Sequence, residues 1–201
     1  MTLPRWLLFG RSKKRHNSLN LFSNISWLEI DLSSYLVKFT KGNFTSEEFK
    51  ATQQSLCLKT SSGHGRDTLS PGPYRDASYT IALYGGEKTD EKLPEESDYL
   101  ACIGFDSERD QILVKQIQGN PGKGETLKFF KWERMLLAIL TDWAKQNGFN
   151  QIRVIQAKDS GWYRKEEEER EQRMFMHYDV TARRSGFSFD QSRGQYVKNL
   201  A

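Results

Sequence analysis

The residue types that most often carry chemistry are sparse in this chain. Its three histidines, His16, His64 and His177, stand far apart and in no metal-ligand spacing, so no metal centre is expected. The two cysteines, Cys57 and Cys102, each lie in an apolar neighbourhood. They read as buried free thiols, which suits a reducing, cytoplasmic setting. Carboxylates able to accept a proton from a nucleophile stand at Glu133, Asp142 and Asp159, and no spacing selects one of them. Two short stretches say more. "GNPGKGETLKFF", 119–130, is glycine-rich, and "AKDSGWYR", 157–164, follows a strand-like segment. Loops at the carboxyl ends of parallel strands commonly form sites. Trp162 and Tyr163 there either line an acceptor or acyl pocket or seal the sheet edge.

These residues need a scaffold, and composition allows one. The 201 residues suit a single domain with an extension; 37% are apolar and 28% charged, with 12 Phe, 8 Tyr and 5 Trp to build a core. No apolar run approaches the ~18–20 residues of a membrane-spanning helix. Thirty Lys and Arg against 26 Asp and Glu leave a net charge of +4, unevenly spread. Residues 1–20 hold Arg5, Arg11, Lys13, Lys14 and Arg15 with no acid. Their apolar stretch, Trp6 to Phe9, is too short for a secretory core and precedes most of the charge. Residues 1–20 are therefore expected to be a flexible basic arm, and 21–201 one domain. The alternative is an interfacial anchor that sets Trp6, Leu7, Leu8 and Phe9 against anionic lipid, or a contact to nucleic acid through residues 5–15.

Periodicity gives the elements. "WLEIDL" (27–32) alternates as a strand, and "TSEEFKATQQSL" (45–56) opens with the capping-box pair Thr45 and Glu48, so a helix is expected there. Residues 60–77, dense in Gly, Pro, Ser and Asp, read as a long loop. "SYTIALYG" (78–85), "YLACIGFD" (99–106) and "QILVKQIQ" (111–118) read as an antiparallel meander, the first two separated by a charged loop. In "KWERMLLAILTDWAKQNG" (131–148), Trp132, Leu136, Ile139, Leu140 and Trp143 fall on one helical face, and Gly148 sits where a C-cap glycine belongs. "QIRVIQA" (151–157) is then a strand parallel to the one before the helix. A second helix is expected over 164–185, its acidic start solvated, with Met174, Tyr178 and Ala182 as an apolar stripe and Gly186 as its end. "FSFD" and "YVK" close the chain as strands. The fold class is α+β with a mixed sheet: meander, crossover helix, central parallel pair, then a helix and two strands.

That order over 78–200, with "WAKQNGFNQIRV" at its centre and "ARRSGF…YVK" at its end, resembles the GNAT superfamily of acyl-CoA N-acyltransferases. The resemblance implies a splayed pair of parallel strands whose opening takes the pantetheine arm of an acyl donor. The cofactor-like co-substrate would be acetyl-CoA or another acyl-CoA, with no metal. It would be held by the main chain of Ile117, Gln118 and Gly119 and, at its diphosphate, by Gly122, Lys123 and Gly124. The sequence departs from the family's loop. Gly119 stands where a Gln or Arg leads, Pro121 lacks an N–H, and "ETLKFF" separates the glycines from the periodic helix. Either the helix begins earlier than its pattern suggests, or the phosphate cradle is altered. The tyrosine that many members use as an acid is replaced by Ala182; Tyr178, one turn earlier, is the remaining candidate. His177 and Asp179, which flank Tyr178, are expected to point elsewhere on the helix.

The function implied is transfer of an acyl group from an acyl-CoA or acyl-carrier-protein thioester to an amine or similar nucleophile. The other reading is a GNAT-like binding module without chemistry. It would contact nucleic acid, an anionic membrane or a protein partner through the basic arm and the long loops.

Overall fold

Eight strands form a single mixed sheet in the order β1-β2-β3-β4-β5-β6-β8-β7. The structure, a computed structural model, describes residues 26–28, 32–41, 56–63, 75–86, 98–161, 163 and 168–200. The basic arm, the capping-box segment at 45–55 and residues 64–74 and 87–97 lie outside the described residues.

The amino-terminal half of the sheet is antiparallel throughout. Strand β1 (Ser26–Leu28) pairs with β2 (Leu56–Ser62), β2 with β3 (Tyr79–Gly85), and β3 with β4 (Tyr99–Glu108). A two-residue turn at Arg109–Asp110, with Arg109 at φ 56°, returns the chain into β5 (Gln111–Gly119). The expected meander is therefore present, with β4 running past Asp106. Two expectations change. The strand begun at Trp27 is described only to Leu28, and Ser33–Phe39 is a helix, α1. Residues 56–62, expected at the join of a helix and a loop, form β2.

Between β5 and β6 (Gln151–Ile155) the chain passes through a 3-10 turn (Pro121–Lys123), the short helix α2 (Gly124–Leu127) and α3 (Trp132–Gln146). Eight side chains of α3 are buried, among them the five expected from the heptad-like spacing, and Gly148 at φ 75° ends it. They pack against Ile81, Leu83, Ile103, Phe105, Ile112 and Val114 on one face of the sheet, so burial of this stripe is the main drive for the crossover. Helix α1 adds Leu36 and Phe39 to the same core, and its Tyr35 hydroxyl donates to Asp142 on α3 at 2.8 Å. Beyond β6 come a 3-10 turn (Ala157–Asp159) and then α4 (Glu168–Phe175), a π-helical turn (Met176–Val180) and α5 (Thr181–Arg184). Gly186, at φ 80°, stops the helix as expected, and β7 (Ser188–Asp190) and β8 (Gln195–Asn199) complete the sheet. Among the described residues no helix is long and apolar enough to cross a membrane.

Candidate functional site

The parallel contact between β5 and β6 is short. It runs from Gln111–Gln151 to Val114–Val154 and then stops, while β5 continues to Gly119. The register with β4 shifts there, from Gly104 opposite Gln116 to Phe105 opposite Val114, so Lys115 is an extra residue in β5. A bulge of this kind turns the strand away from its neighbour. Past Ile155 the other strand also leaves the sheet, through Ala157–Asp159. The carboxyl-terminal half of β5 thus has one edge that no strand among the described residues covers.

Tyr178 covers it instead. Its hydroxyl accepts the Ile117 N–H at 3.0 Å, donates to the Lys115 carbonyl at 3.2 Å, and lies 3.5 Å from Ser160 Oγ. The side chain is 1% exposed. Burial pushes the phenol up to about 12, against the hydrogen bonds from Ser160 and Ile117, which favour the ionised form. Tyr178 is carried by the π-helical turn, where one additional residue per turn lets two successive side chains, Tyr178 and Asp179, face inward. The expectation that Asp179 would point away is corrected by this turn. Its carboxylate accepts the Ala157 N–H at 2.9 Å and the Tyr196 hydroxyl at 3.0 Å, and Tyr196 in turn accepts from Arg183 Nε at 3.1 Å. His177 does point elsewhere, its Nδ1 2.9 Å from Glu133 Oε1 and its ring 5.2 Å from that of Trp132.

The glycine-rich turn is organised by Asn120. Asn120 Oδ1 accepts the Gly122 N–H at 3.1 Å, its carbonyl accepts the Lys123 N–H at 2.9 Å, and its amide donates to the Tyr99 carbonyl at 2.9 Å. The three glycines differ in kind. A Cβ on Gly119 would stand 3.1 Å from the Trp132 ring and 3.2 Å from Leu127, so α2 and α3 can close on β5 only without one. At Gly122 a Cβ would meet only Asn120 Oδ1, at 3.6 Å, and at Gly124 nothing within 4 Å. Of the two alternatives left open by the sequence, an earlier start of the periodic helix is not what the structure shows, although a separate short helix, α2, begins at Gly124 directly after the glycines. Helix α3 starts at Trp132, separated from the turn by α2 and by residues 128–131, which bond across to α1 through Lys131 N–H to the Phe39 carbonyl. The first turn of α3 carries Glu133, so the amino end of that helix already has a carboxylate beside it.

Trp162 lies outside the described residues. Tyr163 is half-buried and donates its hydroxyl to Glu171. It borders a cleft of about 440 Å³ with Ala157, Lys158, Glu171, Phe175 and Asp179. Of the three carboxylates considered, Glu133 meets the π-helical turn, Asp142 bonds Tyr35 on the far side of α3, and Asp159 is exposed. Cys57 and Cys102 form no disulfide with each other; Cys102 is buried and pushed up to about 12 by that burial, whereas Cys57 is only partly covered. Among the described residues no group of three or more His, Cys, Asp or Glu could hold a metal ion.

Ser160, Asp179 and Gln116 belong to this region and were not singled out by sequence. Nothing local marks them, since their roles depend on contacts more than ten residues away.

No protein-family model matches this chain, and no curated protein matches it. Among solved structures it is similar to a GNAT family N-acetyltransferase from Escherichia coli in complex with CoA. The identity is 11% and the TM-score 0.34, over 60% of this chain and 59% of that one. It is also similar to the ribosomal-protein-S18-alanine N-acetyltransferase of Escherichia coli, at 12% identity and a TM-score of 0.37, over 89% and 94% of the two chains. At such identity and overlap the likeness transfers no residue role. The strand order, with its crossover helix and a parallel pair that parts after Val114 and Val154, is the one expected from the sequence.

Proposed function

We propose that this chain is an acyltransferase that moves an acyl group from an acyl-CoA or acyl-carrier-protein thioester to an amine or similar nucleophile. The observation that carries this reading is the uncovered edge of β5, where the Ile117 N–H is answered by a phenol oxygen rather than by a strand. A thioester carbonyl is an acceptor of the same kind. With Tyr178 withdrawn, the carbonyl oxygen takes its place on the Ile117 N–H, and the N–H polarises the bond toward attack. The nucleophile adds to the carbonyl carbon, the C–S bond breaks, the nucleophile's proton leaves to water, and the sulfur departs as thiolate. A phenol held near 12 stays protonated at neutral pH, well above a thiol's ~8.5. Tyr178 therefore stabilises the departing sulfur by a hydrogen bond more readily than by complete proton transfer.

In this reading Ile117, Gln118 and Gly119 hold the donor along β5, and Gly122, Lys123 and Gly124 meet its phosphate-bearing end. The open space at Gly122 and Gly124 supports that assignment. Trp162 and Tyr163 are assigned to the acceptor, and two cysteines that form no disulfide with each other suit a reducing, cytoplasmic setting. A second reading is favoured by one feature: Asn120 already engages the Gly122 and Lys123 N–H groups, and Tyr178 fills the splay. A chain that stayed in this state would be a binding module, meeting nucleic acid, an anionic membrane or a protein partner through its basic arm.

Thermal unfolding with and without acetyl-CoA and a longer acyl-CoA separates the two. A ligand at a hundred times its Kd adds ~2.7 kcal/mol to native stability. A stabilisation lost in Gly124→Glu supports acyl transfer. No stabilisation by any acyl-CoA leaves the binding module, or a carrier-protein donor.

A further inference from the structure

Gln116 is fully buried in the middle of the sheet, on the face opposite the helices. A buried carboxamide is stable only where both of its ends are bonded. The Asp76 main-chain N–H reaches its Oε1 at 3.1 Å, and its Nε2 lies 2.7 Å from Gln118 Oε1. A main-chain N–H can only donate, so the polarity of the whole series is fixed from one end. Gln116 Oε1 accepts, Gln116 Nε2 donates, and Gln118 Oε1 accepts. Gln118 is thereby left with its NH2 group directed onward, half-buried, and with no acceptor among the described residues.

The fold is shaped to keep this series in place. Gly104 stands directly opposite Gln116, and a Cβ there would come within 2.9 Å of Gln116 Oε1, 3.0 Å of its Cβ and 3.2 Å of the Ala77 Cβ. The Asp76 segment is tied to β4 by the Ser78 N–H, which donates to Asp106 Oδ1 at 2.7 Å. The Tyr99 hydroxyl approaches the Gln118 carbonyl at 3.4 Å.

Position decides what the free amide addresses. Ile117 turns its side chain to the helical face, into the buried cluster that also holds Tyr178, Met135 and Leu136, while its N–H lies in the plane of the sheet. A carbonyl bonded to that N–H is closed off on the helical side. The nucleophile comes from the other face, the one from which Gln118 projects. We propose that Gln118 sets the acceptor specificity of the acyltransferase: its NH2 takes a carbonyl oxygen that the acceptor carries next to its nucleophile. The assignment rests on the acyltransferase reading. The acceptor is then an amine with an adjacent carbonyl, as in a peptide or amino-acid amide, in preference to a plain alkylamine.

The test follows the side-chain NH2 signals of the 15N-labelled full chain during titration with glycinamide and, separately, with ethylamine. Glycinamide shifts the Gln118 signals at concentrations about three- to tenfold below those of ethylamine, the margin that one neutral hydrogen bond allows. In Gln118→Met and Gln118→Glu, which lack that NH2 signal, the titration is followed through the Ile117 main-chain amide and the difference between the two amines disappears; Gln116→Met reduces it by releasing the orientation of Gln118. Equal responses to the two amines, or none, overturn the assignment, as does a preference that survives in Gln118→Met. Acetyl transfer from acetyl-CoA is measured on the same samples. Selective binding of glycinamide without transfer leaves the Gln118 site standing and counts against acetyl-CoA as the donor; transfer without selectivity supports the acyltransferase reading and overturns the Gln118 assignment.

Discussion

The Tyr178 hydroxyl bonds the Ile117 N–H at 3.0 Å across 61 residues of sequence. This contact joins the π-helical turn to the unpaired edge of β5 and satisfies main-chain groups that a neighbouring strand would otherwise satisfy. It makes the phenol a structural plug and, in the acyltransferase proposed above, the group that an acyl carbonyl has to replace.

Tyr178→Phe keeps the ring and removes the oxygen. The Ile117 N–H and the Lys115 carbonyl then lose their partner inside the protein. Leaving such groups unsatisfied costs ~1–3 kcal/mol, seen as a lower urea midpoint with an unchanged slope. The same variant exposes the N–H to a ligand, so acetyl-CoA binding tightens while stability falls. If both quantities stay at their wild-type values, water has replaced the hydroxyl, and the edge is wetter than its burial implies.

Alkaline pH reads the same tyrosine. Its pKa rises from 10.0 to about 12 on folding, chiefly through burial, and Tyr35 and Tyr99 shift in the same direction for the same reason. Below about pH 10 folded and unfolded chains both keep these protons, and the groups add no pH dependence. Between about 10 and 12 the unfolded chain ionises first and binds fewer protons, so stability falls as pH rises. Chemical denaturation across that window is expected to show the decline, less steep in Tyr178→Phe by up to about one proton.

Two glycines offer opposite outcomes for one substitution. Gly104→Ala drives a methyl group into Gln116 and Ala77, contacts of 2.9 to 3.2 Å, and such overpacking costs ~1–3 kcal/mol. Gly124 has φ −55° and ψ −37°, and open space around its Cβ position. Gly124→Ala therefore stabilises the fold by ~0.4–1 kcal/mol through the unfolded chain. Paired urea curves check both signs. If Gly104→Ala is neutral, the Gln116 series can shift without loss.

What could be read in advance was set by local pattern. Helix α3 was visible because five apolar residues repeat on one face, and the parallel pair because a crossover helix separates two β-rich segments. Strand β2 escaped notice since Lys59 and Thr60 are buried within it, so its two faces do not alternate in polarity. Helix α1, seven residues long, is too short for a period to emerge. The π-helical turn has no sequence signature of its own; its Asp179 is held by Ala157 and Tyr196, from two other elements. At the site, the glycines and Tyr178 were legible as residue types. The capture of the turn by Asn120 was not, nor was Gln116, because a glutamine in a strand ordinarily faces water.

Asp179 provides the test of what aims Tyr178. Its carboxylate fastens the π-helical turn to the start of the Ala157–Asp159 turn and to Tyr196 on β8, and it is 4% exposed. Asp179→Ala leaves the Ala157 N–H and the Tyr196 hydroxyl without this acceptor, at a cost of ~1–3 kcal/mol. Asp179→Asn keeps the volume and one acceptor oxygen, so its loss is smaller. The more specific consequence is at a distance. If Asp179 holds the phenol on β5, the Ile117 amide exchanges with solvent faster in Asp179→Ala by more than the drop in global stability explains, and Asp179→Asn falls between. Unchanged Ile117 protection relative to other core amides would show that packing alone seats Tyr178, and the carboxylate would then serve only the β8 side of the sheet.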